Sequence, residues 1–367
     1  MRIAVIKFPY DTSKLCEKVC NMADRLAYDV GVFSLDLNEQ QTSVNGHAIH
    51  PFNDINKFSW DAAVLACTGE PFVDIVPRMV ELGVGTNEQF KNYLWLLQRL
   101  MIARYEDCAD PVIQETLEYW KTHEISVFNQ HITFDKSTMH EVFFDEDLPY
   151  VCFQTDGGAW YKMYFPSNHK LIVTYEGKKA VPNLLKEQDP TSPHLYTTNE
   201  HNVQAGDILI DAGVGEGNFA LRYVDICSKV YLFEPDTQWL EPLKHTFAPF
   251  GDKVEIIPRY VSNHTDGEFI TIDDALPDVR GKNIFLKMDV EGAEPDAMRG
   301  AKNILTNNKV RASVCTYHNP DDLIKVKSIL RRYGYQTSTS DGYMVFINDL
   351  NILDTADFRK GVVRAKN

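Results

Sequence analysis

Asp207-Ile-Leu-Ile-Asp-Ala-Gly-Val-Gly-Glu-Gly-Asn-Phe219 runs from a short apolar strand through glycines at alternate positions, Gly213, Gly215 and Gly217, into a helical pattern of Phe219, Leu221, Val224 and Ile226. Glycine lets the backbone turn sharply and approach a ligand with no side chain in the way. The next apolar run, Val230-Tyr-Leu-Phe-Glu234, ends on an acid 21 residues after Gly213 (234 − 213). At that distance a carboxylate on the second strand reaches a ribose. A nucleoside-type cofactor on a doubly wound α/β sheet is therefore expected.

The glycine spacing separates two classes of cofactor. Dinucleotide sites use Gly-x-Gly-x-x-Gly, with the pyrophosphate on the helix N-terminus. Here the loop reads Gly-x-Gly-x-Gly, with Asp211 before it and Glu216 inside it. Carboxylates are unwelcome beside a pyrophosphate but suit an ammonium and a sulfonium, the charges of S-adenosylmethionine. An NAD-linked oxidoreductase is the competing class, and a tight turn without any ligand is the alternative reading of the loop.

Four further stretches follow in order: Val230-Tyr-Leu-Phe-Glu-Pro-Asp236, Thr271-Ile-Asp-Asp274, Leu286-Lys-Met-Asp-Val-Glu-Gly-Ala-Glu294 and Thr316-Tyr-His-Asn-Pro-Asp-Asp322. Over about residues 190 to 350 this series resembles the FkbM-type S-adenosylmethionine-dependent methyltransferases, the Lys-x-Asp-x-Glu-Gly-x-Glu stretch most specifically. The resemblance implies O-methylation of a sugar, a sugar nucleotide or a glycan precursor. It also implies that the segment before the first strand covers the cofactor, which makes Ser192, His194 and Tyr196 lid candidates. An ordinary linker is the other reading of that segment. Nothing comparable identifies residues 1 to 140.

Composition narrows the partners. The 367 residues suffice for two cores. A formal net charge of −15 disfavours nucleic acid and anionic membrane surfaces, although Phe358-Arg-Lys-Gly-Val-Val-Arg-Ala-Lys366 forms a basic tail. Seven cysteines without CxxC pairs suggest free thiols in a reducing compartment; Cys16 and Cys20 read as helical core residues. No signal peptide or membrane-spanning run is evident, so a cytoplasmic location is expected. Oligomeric state is not readable.

Three regions are expected. Residues 1–124 form an α/β N-terminal domain with strands at 2–8, 29–35 and 62–67 and helices at 13–26, 72–82, 88–105 and 111–123. Its first strand leads into Phe8-Pro-Tyr-Asp11 rather than glycines, which points to a scaffold or a role in positioning substrate. Residues 125–202 form a β-rich connecting segment and lid, with a two-residue hairpin turn at Gly157-Gly158. Residues 203–367 form a class I methyltransferase (Rossmann-like) sheet. Its strands lie at 207–211, 229–234, 254–257, 283–289 and 311–317. An antiparallel final hairpin of 331–337 and 343–347 distinguishes it from an all-parallel dehydrogenase sheet.

Ligands of open α/β sheets lie over the carboxyl ends of the strands. That placement assigns Glu234 to the ribose hydroxyls, Ser262 or Asn263 to the adenine, and Asp211 or Glu216 to the methionine ammonium. A sugar hydroxyl is a poor nucleophile, so a general base helps. Asp289, Glu291 and His318 are the candidates, with Glu294 read as a helix-start carboxylate and His318 also readable as a structural histidine. A competing design places Mg²⁺ on Asp289 and Glu291; the favoured reading holds no metal. A metal-assisted methyltransferase acting on another hydroxylated small molecule, or a non-catalytic S-adenosylmethionine-binding assembly protein, completes the alternatives.

Overall fold

The computed structural model describes residues 1–9, 11, 14–36, 38–68, 71–129, 139–167 and 169–367. The expected helix start at Ser13 and the 130–138 part of the β-rich segment lie outside the described residues. Two compact units emerge: Met1–Asn129 with Val345–Phe358, and Gln130–Met344 with Arg359–Asn367.

In the first unit, β1 (Arg2–Lys7), β2 (Asp29–Ser34), β3 (Ser43–Val44), β4 (His47–Pro51), β5 (Ala62–Ala66) and β6 (Phe90–Asn92) form a sheet in the order β3-β4-β2-β1-β5-β6. All pairings are parallel except β3 with β4. Helices α1 (Leu15–Arg25), α2 (Pro71–Glu81), α3 (Tyr93–Tyr105) and α4 (Pro111–Tyr119) accompany it. Cys16 and Cys20 are buried on α1 with Val19 and Met22. The loop after β1 caps that helix: Asp11 accepts from the backbone N–H of Leu15 and Cys16, both at 2.8 Å.

The second unit opens with β-structure. Strands β7 (His140–Glu141), β8 (Phe143–Asp145), β9 (Leu148–Gln154), β10 (Trp160–Tyr164), β11 (Val173–Tyr175) and β12 (Lys178–Val181) form two three-stranded sheets, ordered β10-β9-β8 and β11-β12-β7. The β9–β10 hairpin forms where expected, but its turn is longer. Gln154 pairs with Trp160, leaving Thr155–Ala159 as the loop, and of the two glycines only Gly158 has positive φ, 86°. Side chains explain the departure. Thr155 Oγ1 donates to Asp225 at 2.6 Å, and Arg222 Nε donates to Asp156 at 2.7 Å.

The main sheet comprises β13 (Ile208–Ala212), β14 (Lys229–Phe233), β15 (Val254–Ile257), β18 (Asn283–Met288), β19 (Lys309–Cys315), β20 (Gln336–Thr339) and β21 (Val362–Lys366). A small separate pair, β16 (Tyr260–Val261) and β17 (Phe269–Ile270), follows β15 in the chain. The order β15-β14-β13-β18-β19-β21-β20, parallel except for β21, is that of a class I methyltransferase sheet. Helices α5 (Asn218–Tyr223), α6 (Thr237–Phe247), α7 (Ile272–Ala275), α8 (Glu294–Arg299), α9 (Lys302–Asn307) and α10 (Asp322–Arg332) complete the unit. Strand β13 is buried throughout, as a central parallel strand covered on both faces must be.

The antiparallel ending is present, but its last strand is not 343–347. Met344 makes an isolated bridge to Arg359. Val345 then donates to the Val127 carbonyl at 3.1 Å, inside the first unit. The partner of β20 is Val362–Lys366, drawn from the stretch that reads as a basic tail. Its Val362, Val363 and Ala365 are buried, and Arg364 Nη2 donates to the Leu195 carbonyl at 2.6 Å. Alternation with two basic residues disguises a strand that lies inside the sheet.

Candidate cofactor and acceptor site

A cavity of about 740 Å³ opens over the carboxyl ends of β13, β14 and β18, where an open α/β sheet holds its ligand. Gly213, Gly215, Glu216, Glu234, Asp289 and Glu291 line it. Among the described residues, five other candidates do not: Asp211, Gly217, Ser262, Asn263 and His318.

The glycines divide the labour. At Gly213 (φ 77°) a Cβ would sit 1.6 Å from the Asp289 carbonyl oxygen, so this residue permits the close crossing of two strand ends. At Gly217 (φ 82°) a Cβ would meet Leu243 at 2.9 Å and Phe247 at 3.0 Å, so this one seats the loop on α6. Gly215 (φ 56°) has nothing within 4 Å of that position and faces the cavity.

Glu234 terminates β14 and organises the same loop. One carboxylate oxygen accepts from Val214 N at 3.1 Å and Gly215 N at 2.8 Å, and the other from Asp236 N at 2.9 Å. Asp211 lies beneath the loop, fully buried, with Lys287 Nζ 3.1 Å from its carboxylate. It therefore cannot face the cavity as the sequence suggested. Burial, eased by Lys287, holds its carboxyl above the usual range. Lys287 also donates to the Gly213 carbonyl and lines the cavity. Ser262 is buried against His264, and Asn263 donates to Asp296 at 3.0 Å; the neighbouring cavity wall is Pro258, Arg259, Tyr260 and Val261. Glu216, held by Asn218 at 2.7 Å, is pushed up to about 7 by burial.

Asp289 is the hub of the far side. Tyr196 Oη donates to Oδ2 at 2.8 Å, and His194 Nε2 lies 3.3 Å from the same oxygen. Tyr317 Oη donates to Oδ1 at 3.2 Å, with His318 Nε2 at 3.5 Å. Burial opposes the charge, but His194, Lys287 and His318 outweigh it and hold the Asp289 carboxyl far below the usual range. His194 is buried between Asp289 and Glu187, whose Oε2 is 3.3 Å from its Nδ1. Burial works against its protonation; the two carboxylates prevail and raise it to about 9.

Glu291 lies two residues on, exposed, with an unusual left-handed φ of 54°. Burial of its surroundings, reinforced by Asp289 and Glu294, raises its carboxyl despite His318. His318 is buried behind both acids, 3.4 Å from Glu291 and 3.0 Å from Glu294. Glu294 accepts from Val290 N at 2.9 Å, the helix-start role its position indicated.

Lys287 and Glu187 join the site without any expectation from the sequence, Tyr317 stands at the strand end where the ligand is expected, and the lid candidates His194 and Tyr196 prove to be buried on Asp289. The lone basic residue inside the Leu286-Lys-Met-Asp289 strand was the available signal for Lys287.

Residues 262–337 match the model of the methyltransferase FkbM domain. The match runs from the residue after β16 into β20. The cavity wall at Lys287, Asp289, Glu291 and Ala293 lies inside the FkbM match, while the glycine loop and Glu234 precede it. Among solved structures, the methyltransferase FkbM from Methylobacillus flagellatus KT is 14% identical, covering 99% of this chain and 89% of that one, with a TM-score of 0.43. Precorrin-6y C5,15-methyltransferase from Geobacter metallireducens GS-15 is 13% identical over 46% of this chain and 85% of that one, at 0.31. An rRNA methylase from Streptococcus thermophilus is 14% identical over 45% and 89%, at 0.30. A comparison with curated proteins finds no match. Among the described residues, no helix is long and apolar enough to cross a membrane.

Proposed function

We propose that this protein is an S-adenosylmethionine-dependent O-methyltransferase acting on a hydroxyl of a sugar or glycan precursor. The observation that carries the reading is a single cavity lined by the open face of Gly215, the Glu234 carboxylate and the Asp289–Glu291 pair. The donor set fits the cofactor. Glu234 retains acceptor capacity for ribose hydroxyls beyond its three backbone bonds, Tyr260 and Val261 offer walls for an adenine, and Glu216 with Glu187 offers carboxylates for an ammonium. When bound, S-adenosylmethionine supplies an electrophilic methyl on a sulfonium.

The chain's own work is alignment and proton handling. Asp289 is a poor proton acceptor, because Tyr196, Tyr317, His194, His318 and Lys287 stabilise its ionised form. It serves as a fixed anion that orients Tyr196, Tyr317 and the two histidines. Glu291 is the better base: its carboxyl is raised, it lines the cavity, and its backbone is held in a conformation that costs about 1–3 kcal/mol. It would take the acceptor hydroxyl's proton on a carboxylate oxygen while His318 steadies it from behind. A Mg²⁺ ion on Asp289 and Glu291 would have to compete for the Asp289 carboxylate with Tyr196, Tyr317 and His194.

Labelled S-adenosylmethionine and a panel of sugar nucleotides and purified glycans test the reading. Methyl ether and S-adenosylhomocysteine should form together, and Glu291→Gln should slow turnover by about 10²–10⁴-fold with cofactor affinity little changed. A chelator should leave the rate intact. Methylation at nitrogen or carbon, or a Glu291→Gln enzyme of normal turnover, would reject the acceptor chemistry or the base respectively.

A further inference from the structure

Strand β9 alternates strictly: Pro149, Val151 and Phe153 are buried, while Tyr150, Cys152 and Gln154 are turned outward. Register extends that outer face across the sheet, placing Phe143 beside Tyr150, Lys162 beside Cys152 and Trp160 beside Gln154. The outer face of a half-buried antiparallel sheet is ordinarily polar, yet Trp160 is 64% exposed and Phe143 43%. The exposed rings of this face are Trp160 and Phe143 with the half-buried Tyr150 between them, and Tyr164 at the end of β10 is buried.

Three of the rings touch one another, the buried Tyr164 among them, while the exposed Trp160 stands apart beside Gln154. Phe143 and Tyr150 have centroids 5.8 Å apart, and Tyr150 and Tyr164 5.4 Å. Lys162 Nζ lies 4.4 Å above the Tyr150 ring and 2.5 Å from Asp145, which also accepts from Tyr164 Oη at 2.5 Å. The positive and negative charges of this face thus cancel one another. A single-stranded nucleic acid needs a basic groove beside its stacking rings, and here the lysine is already paired on a chain of net charge −15. Rings that accept apolar C–H faces, edged by matched donors and acceptors, fit a neutral ligand that is apolar on its flats and hydroxylated at its rim. That is the chemistry of a pyranose.

We propose that the outer face of the β8–β9–β10 sheet is a platform for a neutral oligosaccharide. The sheet is anchored to the helix that borders the cavity: Tyr164 N donates to Thr246 on α6 at 3.0 Å, and Trp239 and Leu240 of the same helix line the cavity. The platform would hold a stretch of glycan distant from the reacting hydroxyl, making the acceptor a chain of sugars rather than a single sugar. This inference rests on the carbohydrate acceptor proposed above.

Cys152, an exposed thiol at the centre of the face, is a built-in reporter. Full-length protein without cofactor would be titrated with maltoheptaose, cellohexaose and chitohexaose, by calorimetry and by the rate of Cys152 alkylation read by mass spectrometry. At least one oligosaccharide should bind and slow alkylation. Trp160→Ala and Phe143→Ala, both at exposed positions, should each weaken binding about tenfold while leaving S-adenosylhomocysteine affinity unchanged. Absence of binding at millimolar oligosaccharide, or binding indifferent to both substitutions, would overturn the platform. So would self-association abolished by Trp160→Ala, which would make the face a contact between copies. Because no turnover is measured, failure here leaves methyl transfer standing, and failure of methyl transfer leaves this result intact.

Discussion

At the scale of single residues, Glu234 does two things with one carboxylate. It fixes the glycine loop through Val214 N and Gly215 N, and it faces the cavity. Charge-assisted hydrogen bonds are worth about 1.5–3 kcal/mol each, so Glu234→Ala should weaken S-adenosylhomocysteine binding at least about tenfold by calorimetry. A folded variant with unchanged affinity would remove Glu234 from the cofactor site. His194 makes a second prediction, through pH. Its raised pKa means that its contribution to stability is complete below about 6.5 and lost as pH climbs through about 9. Glu187, Asp289, Tyr196, Tyr317 and Cys315 surround it. Thermal melts should show wild type losing stability across that window, with His194→Gln flattening the loss. The sequence revealed Glu234 because strand, loop and acid follow one another closely. It hid Lys287 and Glu187 because Lys287 reaches Asp211 from the neighbouring strand and Glu187 reaches the cavity wall from a segment well before the glycine loop. No local spacing encodes either contact.

At the scale of elements, the glycine loop separates conformational need from crowding. Gly213→Ala would force a Cβ into the Asp289 carbonyl, so β13 and β18 could not keep their present ends. Gly215→Ala meets open space and costs only the left-handed backbone, about 1–2 kcal/mol. Differential scanning calorimetry should therefore find Gly215→Ala folded with a modestly lowered Tm, and Gly213→Ala severely destabilised or insoluble. Comparable melting of the two would contradict the crossing geometry. Most strands of the main sheet were readable from apolar runs, because central parallel strands are buried on both faces. The last strand was not, since its half-buried Arg364 and exposed Lys366 imitate a solvated tail. The β9–β10 turn was misjudged for a related reason: its shape answers to Asp225 and Arg222, more than 60 residues away in sequence.

At the scale of the whole molecule, β21 is an interior strand, paired with β19 on one side and β20 on the other. Deleting residues 360–367 should abolish soluble expression or S-adenosylhomocysteine binding, whereas a dispensable tail would leave both unchanged. A fragment beginning at residue 125 should also fare poorly, because 345–358 would lose most of the unit to which it belongs. Trp120 stacking on Phe358, and Arg25 donating to the Asp354 carbonyl at 2.8 Å, show what such a cut removes. The chain thus passes from the first unit to the second, back again, and across once more. On the ribosome, residues 1–129 emerge first but must wait for 345–358, and the main sheet must wait for 362–366. Vectorial synthesis, which ordinarily lets an early domain close before a later one appears, has no finished product to release here. Nascent chains stalled before residue 345 should accordingly remain protease-sensitive in both halves and rely on chaperones that tolerate long-exposed apolar strands.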